Sequence, residues 1–219
     1  MPETQGPPMK IHTAPNAVPH VVHKPAPGPL HWRERVAKDI EADVSRGILE
    51  RVPPGIPETW CTRMVITWKK NGEPRRKVDL AALSKAGIRK THHTRSPFNV
   101  VRSIPSETQK TTLACKYGYH GVPLAEEDRQ KTTFITEQGR FRYARATQGY
   151  GSSNDGYTQR TDKILRNCAG GMHDYEMIVD DIIQWSGTIE QAFFRICKIL
   201  SHCSGSGMVL KSAKSLVAK

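Results

Sequence analysis

Two adjacent acids, Asp180 and Asp181, interrupt an otherwise apolar run. Met177-Ile178-Val179 precedes them and Ile182-Ile183 follows. Side chains alternate along an extended strand, so consecutive acids within one strand point to opposite faces. Neither can be buried unpaired without a large desolvation cost. The pattern therefore fixes a tight turn between two apolar strands, with carboxylates at its bend. Such a turn is a natural site for a hard divalent cation, and it is equally compatible with an ordinary acidic hairpin. The acid pair alone leaves both readings open.

The chain of 219 residues fits one large domain or two small ones. Lys and Arg number 33 against 21 Asp and Glu, a formal charge of +12, which points to a polyanionic partner such as nucleic acid. No apolar stretch is long enough for a membrane helix, and no signal-peptide core follows Met1. The five cysteines, Cys61, Cys115, Cys168, Cys197 and Cys203, are odd in number and lack C-x-x-C spacing. They read as reduced thiols of an intracellular protein, in cytoplasm or nucleus, with no zinc site.

Residues 1–30 hold eight of the fifteen prolines and are expected to be an extended or disordered lead-in. Trp32, Val36, Ile40, Val44 and Ile48 recur every four residues and predict a helix over 31–46 that Gly47 helps to end. Thr62–Trp68 and Arg76–Leu80 read as strands joined at Asn71-Gly72, a type I′ hairpin signal. This hairpin places Lys69, Lys70, Arg75 and Arg76 near its tip, either as a solvated end or as a phosphate grip.

Residues 86–110 read as mostly irregular. Strands are expected at Thr111–Cys115, Thr132–Thr136 and Arg140–Tyr143, and a helix at 154–167 with Ser153 as its N-cap. A helix containing Ile189, Phe193, Ile196 and Leu200 and a short strand Met208–Leu210 close the chain. This order of hairpins and isolated helices predicts an α+β fold rather than a doubly wound sheet.

From about residue 23 onward, several ordered segments together resemble the reverse transcriptase domain of Ty3/gypsy-type LTR retrotransposon polyproteins. They are HKPAPGPLHWRERV, WCTRMVITWKKNGEPRRKVDL, THHTRSPFNVVRSIP, GYHGVPLAEEDRQKTTFITEQGRFRYARATQGY and IVDD. The resemblance implies the fingers and palm of a right-hand polymerase, with an antiparallel palm sheet packed on helices and no thumb. The fingers-like part falls in 31–110, with further fingers segments near 121–147, and the palm-like part in 111–219.

The implied activity is RNA-directed DNA polymerisation, using dNTPs and an RNA or DNA template-primer. Asp180 and Asp181 match the family's catalytic, metal-binding turn, with Ile178 where many relatives carry tyrosine. Lys70 and Arg75 match the triphosphate grip, and a planar guanidinium suits two-point phosphate binding. Tyr119 matches the residue beneath the incoming sugar, and Gln148-Gly149 the loop touching template and nascent pair. Lys214 matches a lysine proposed to protonate the leaving pyrophosphate. Adjacent His92 and His93 carry no assigned chemistry.

The resemblance also carries a departure. The family's two Mg²⁺ ions, for which Mn²⁺ can substitute, lie about 4 Å apart and are held by three aspartates. The third precedes Gly-Tyr-His at a fixed spacing, and from Gly118-Tyr119-His120 that spacing falls on Ala114. A methyl group cannot coordinate a cation, and neither Glu107 nor the Glu126-Glu127-Asp128 run is placed to substitute. The expectation is weakened metal binding and impaired polymerisation. A catalytically dead nucleic-acid-binding remnant, or a bare interaction scaffold, are the competing expectations.

Overall fold

The structure is a computed structural model describing residues 1–169 and 174–217. In chain order it contains α1 (Arg33–Ser45), β1 (Leu49–Val52), β2 (Thr62–Trp68), β3 (Pro74–Val78), α2 (Ala81–Ala86) and α3 (Pro97–Ser103). There follow β4 (Gln109–Cys115), α4 (Glu126–Arg129), β5 (Phe134–Thr136), β6 (Gly139–Tyr143) and α5 (Gly151–Ala169). The last elements are β7 (Tyr175–Ile178), β8 (Asp181–Ser186), α6 (Ile189–Gly205) and β9 (Leu210–Leu216). None of the described helices is long and apolar enough to cross a membrane. The content is α+β.

The chain divides into two compact units. The first comprises Met1, Pro7–Lys90 and Val122–Ser153; the second comprises Pro2–Gly6, Thr91–Gly121 and Asn154–Lys219. The first unit is built on a five-stranded sheet in the order β1-β6-β5-β2-β3. Its β2–β5 pairing is parallel and the others are antiparallel. Helix α1 buries Val36 and Ile40 with Met64, Phe134 and Phe141 of the sheet. The helix ends in a Schellman motif. Gly47 takes φ +68, its N–H donates to the Val44 carbonyl, and the Ile48 N–H donates to that of Asp43.

The proline-rich segment ahead of α1 has no helix before Leu30 and is tied down at intervals. Isolated bridges join Met9 to Leu124, Thr13 to Gly87 and Val21 to Cys61. Ile11 belongs to a second cluster of the first unit with Trp60, Leu80, Leu83, Leu124 and Tyr150.

The second unit carries a fully antiparallel sheet, β7-β8-β4-β9. Helix α6 lies against β4 and β8, with Ala192, Ile196, Ile199 and Cys203 buried. Thr188 caps it, its hydroxyl accepting from the Gln191 N–H at 3.2 Å.

Several local expectations are corrected. The β2–β3 hairpin is not a type I′ turn. Asn71 stays out of the left-handed region, and only Gly72 enters it (φ +79). Five residues separate the strands, and the Gly72 N–H donates to the Lys69 carbonyl, so the single left-handed residue falls at the turn's end. Accordingly β3 starts at Pro74 rather than Arg76.

Helix α5 starts at Gly151, two residues ahead of Ser153. Gly149 (φ +97) has already turned the chain, so Ser153 lies within the first turn and is not the N-cap. The stretch 86–110 contains α3, capped by Ser96 with Pro97 at its first position. The final strand is β9, Leu210–Leu216, rather than Met208–Leu210.

Candidate active site

The acid turn of the second unit follows from register. Ile178 pairs with Asp181, leaving Val179 and Asp180 as the two turn residues. Val179 has φ +55, a conformation that a β-branched residue adopts only under constraint. The constraint comes from β4, because the Cys115 N–H donates to the Asp180 carbonyl at 2.7 Å. Asp181 opens β8 and is exposed.

Asp180 is more enclosed. Its Oδ1 is buried without a partner among the described residues. Gly118 (φ +27) runs so close that a Cβ there would stand 2.8 Å from Oδ1. Burial raises the Asp180 carboxyl above its ordinary range, the charge of Asp181 adds to this, and Lys211 opposes it.

Tyr119 stands on the 3₁₀ turn Gly118–Gly121. Its hydroxyl donates to Asn154 Oδ1 at 3.1 Å, and its ring lies 5.3 Å from that of buried Tyr157. Burial raises the Tyr119 phenol, and the Asp180 charge adds.

Ala114 sits directly opposite Asp181 on β4. On its other side its partner is Lys211 of β9. The β4–β9 register then breaks: Thr112 pairs with Leu216, so Ser212–Ser215 bulge out. Lys214 lies in that bulge and is exposed. The β9 lysine opposite Ala114 is thus Lys211, which sequence reading left aside because no strand pattern announces the bulge.

Lys70, Arg75, Gln148 and Gly149 belong to the first unit. Lys70, Arg75 and Gln148 are exposed. Their basic neighbours are engaged: Lys69 with Glu73 at 3.1 Å, and Arg76 with Asp43 at 2.6 Å. The Gly149 carbonyl accepts from Ser84 Oγ at 3.3 Å. His92, which carried no assigned chemistry, bonds Asp162 Oδ2 through Nε2 at 2.7 Å. Its N–H donates to Asp155 Oδ1 at 3.2 Å. This joins the 91–96 segment to α5.

The donor set does not fit a pair of divalent ions. Among the described residues no three acid, histidine or cysteine side chains converge on one point. Along one sheet row Asp181 faces a methyl and a lysine, and Asp180 lies in the adjoining turn. Asp128 offers no rescue, because it accepts from the Ile11 N–H at 2.8 Å and from Lys131 Nζ at 2.7 Å.

No protein-family model matches the chain. The Pol polyprotein of transposon gypsy from Drosophila melanogaster is 36% identical over 76 residues, 35% of this chain and 7% of the relative. That of transposon opus is 26% identical over 197 residues, 88% and 19% respectively. A putative enzymatic polyprotein of cassava vein mosaic virus is 26% identical over 153 residues, 69% and 23%. The chain thus spans less than a quarter of each of these relatives.

Among solved structures, the foamy viral protease-reverse transcriptase in complex with RNA/DNA hybrid superposes with a TM-score of 0.85 at 18% identity. That match covers 98% of this chain and 28% of that one. The same protease-reverse transcriptase in complex with dsDNA gives 0.85 at 17% identity, covering 99% and 44%. At such identity the likeness carries the fold, and the polyprotein relatives carry the descent. The chain is thus homologous to a part of the Pol polyproteins of the gypsy and opus transposons and has the fold found in the foamy viral protease-reverse transcriptase.

Proposed function

We propose that the chain is a right-hand polymerase domain, with fingers in the first unit and palm in the second, that binds template-primer nucleic acid. We further infer that its nucleotidyl transfer is severely impaired. The observation that carries the impairment is the pairing of Ala114 with Asp181. At that register an aspartate would join the acid pair, and a methyl supplies no oxygen. With two carboxylates and a methyl, the acid turn does not fit the family's two divalent ions.

What remains is binding and positioning. Lys70 and Arg75 are exposed cations on a narrow hairpin, suited to a triphosphate or to backbone phosphates. Tyr119 is fixed by Asn154 and presents a rigid ring edge against an incoming sugar. Gly149 allows close backbone approach to a base pair, with Gln148 beside it. Lys214 is exposed and keeps the family's place for donating a proton to pyrophosphate. The solved relatives bound to RNA/DNA hybrid and to dsDNA, together with the net charge of +12, support a nucleic-acid duplex as partner.

The test is primer extension by this chain beside its Ala114→Asp variant, with Mg²⁺ or Mn²⁺. The parent is expected to stay at background and the variant to gain on the order of a hundredfold. Parent extension that Ala114→Asp does not raise refutes the impairment. Duplex binding without extension by either protein favours the second reading, a non-catalytic nucleic-acid-binding remnant.

A further inference from the structure

Asp181 and Lys211 are both cross-strand partners of Ala114, one from each side. Directly opposed residues share a sheet face, so acid, methyl and lysine form one row across β8, β4 and β9. Neighbouring strands lie about 4.8 Å apart, which puts the Lys211 backbone roughly 10 Å from that of Asp181. A lysine's flexible four-carbon stem spans most of such a gap, and only a methyl stands in it. A longer side chain at position 114 would occupy that path.

The bulge fixes where this lysine emerges. Ser215 Oγ donates to the Lys211 carbonyl at 2.8 Å, closing the 212–215 excursion back onto Lys211. Burial and the Asp181 charge raise the Asp180 carboxyl, and the Lys211 charge opposes them. The row plus Asp180 holds two carboxylates and one ammonium. With an aspartate at position 114 and a neutral residue at 211 it would hold three carboxylates and no cation.

We propose that Lys211 is a tethered counter-ion for the Asp180–Asp181 pair, offsetting its negative charge from across the row without a direct ion pair and without a divalent metal. The inference rests on reading that pair as the family's acid turn, and it assigns a role to a residue outside the family's catalytic set. It follows that loss of the lysine charge, with no change at position 114, exposes a latent cation site.

The probe is Mn²⁺ alone, followed by loss of its free-ion EPR signal on the full chain without nucleic acid. Thermal unfolding is recorded alongside in MgCl₂ and in KCl of equal ionic strength. The parent is expected to take up little Mn²⁺ and to unfold at the same temperature in both salts. Lys211→Gln is expected to bind Mn²⁺ at least about tenfold more tightly, a difference of about 1.4 kcal/mol, and to unfold at higher temperature in MgCl₂. Lys211→Arg and the distant charge control Lys198→Gln should behave as the parent does.

Equal Mn²⁺ affinity in parent and Lys211→Gln overturns the proposal. Should Lys211→Gln fail to fold in KCl, recovery in MnCl₂ supports it and no recovery overturns it. The measurement uses no catalysis. Failure of Ala114→Asp to restore extension therefore counts against the proposed function alone, and unchanged Mn²⁺ uptake counts against the counter-ion alone.

Discussion

Gly118 shows how much of the acid turn depends on an atom that is not there. The Asp180 carboxylate occupies the space a Cβ would take, 2.8 Å from Oδ1, and Gly118 itself has φ +27. Gly118→Ala must either rotate that carboxylate or shift the 117–121 turn. It is expected to destabilise the protein by about 1–3 kcal/mol, read as a lower urea midpoint with an unchanged m-value. A midpoint equal to the parent's would mean that the turn adapts freely. A second residue-scale consequence lies in α6. Cys203 is buried, and burial pushes its thiol from 9.0 up to about 12, with Cys115 and Cys168 adding. The folded chain therefore keeps the thiol neutral where the unfolded chain ionises it. That contribution to stability is complete below pH 9 and is lost progressively as pH rises toward 12. Urea unfolding of the parent and of Cys203→Ala at pH 8, 9.5 and 10.5 should show the parent's advantage shrinking with pH. At pH 8 iodoacetamide should label exposed Cys197 ahead of Cys203.

Among elements, the segment ahead of α1 is anchored at Ile11 by one buried acid. Asp128 closes α4 against the main chain at Ile11 and against Lys131, whose Nζ also donates to the Ile11 carbonyl at 2.8 Å. Asp128→Ala leaves a half-buried ammonium without its anion. It is expected to cost about 3–5 kcal/mol and to remove hydrogen-exchange protection at the Ile11 amide. Retained protection would place the anchor in the apolar cluster around Ile11 instead. Nothing local in the sequence marked this acid's anchoring role, since its main-chain partner Ile11 lies 117 residues away. The periodic elements were far more legible. Strand β2 was read at its observed bounds and α1 declares itself through a buried stripe. Of the four residues that announced α6, by contrast, only Ile196 is buried, the core-facing row being Ala192, Ile196, Ile199 and Cys203. Helix α3 is too short to show a period, although Ser96-Pro97 marks its start. The Ala114–Asp181 pairing could be reached by counting from Gly118-Tyr119-His120, because motif spacing preserves strand register. Lys211 could not, because the β9 bulge resets register within one strand.

Across the whole molecule, the excess of 12 positive charges becomes a mechanism only where the cations are available. Arg76 and Lys69 are held by Asp43 and Glu73, so at the hairpin the load falls on exposed Lys70 and Arg75, which form no ion pair among the described residues. If the hairpin is the fingers grip, these two side chains meet phosphates. Each phosphate contact adds about −0.9 to the slope of log affinity against log salt for duplex DNA. Lys70→Ala with Arg75→Ala should therefore weaken duplex binding and flatten that slope by about 2. Both residues are exposed on a hairpin tip, so the unfolding midpoint should barely move, which separates lost contacts from lost structure. An unchanged slope would assign binding to cations elsewhere on the chain, and a flat slope already in the parent would remove nucleic acid as the partner. If the acid turn governs chemistry and the hairpin phosphate contact, as proposed, Ala114→Asp should leave the slope near the parent's while restoring extension. Opposite responses of the two variants in the two assays would show that binding and catalysis have separated in this chain.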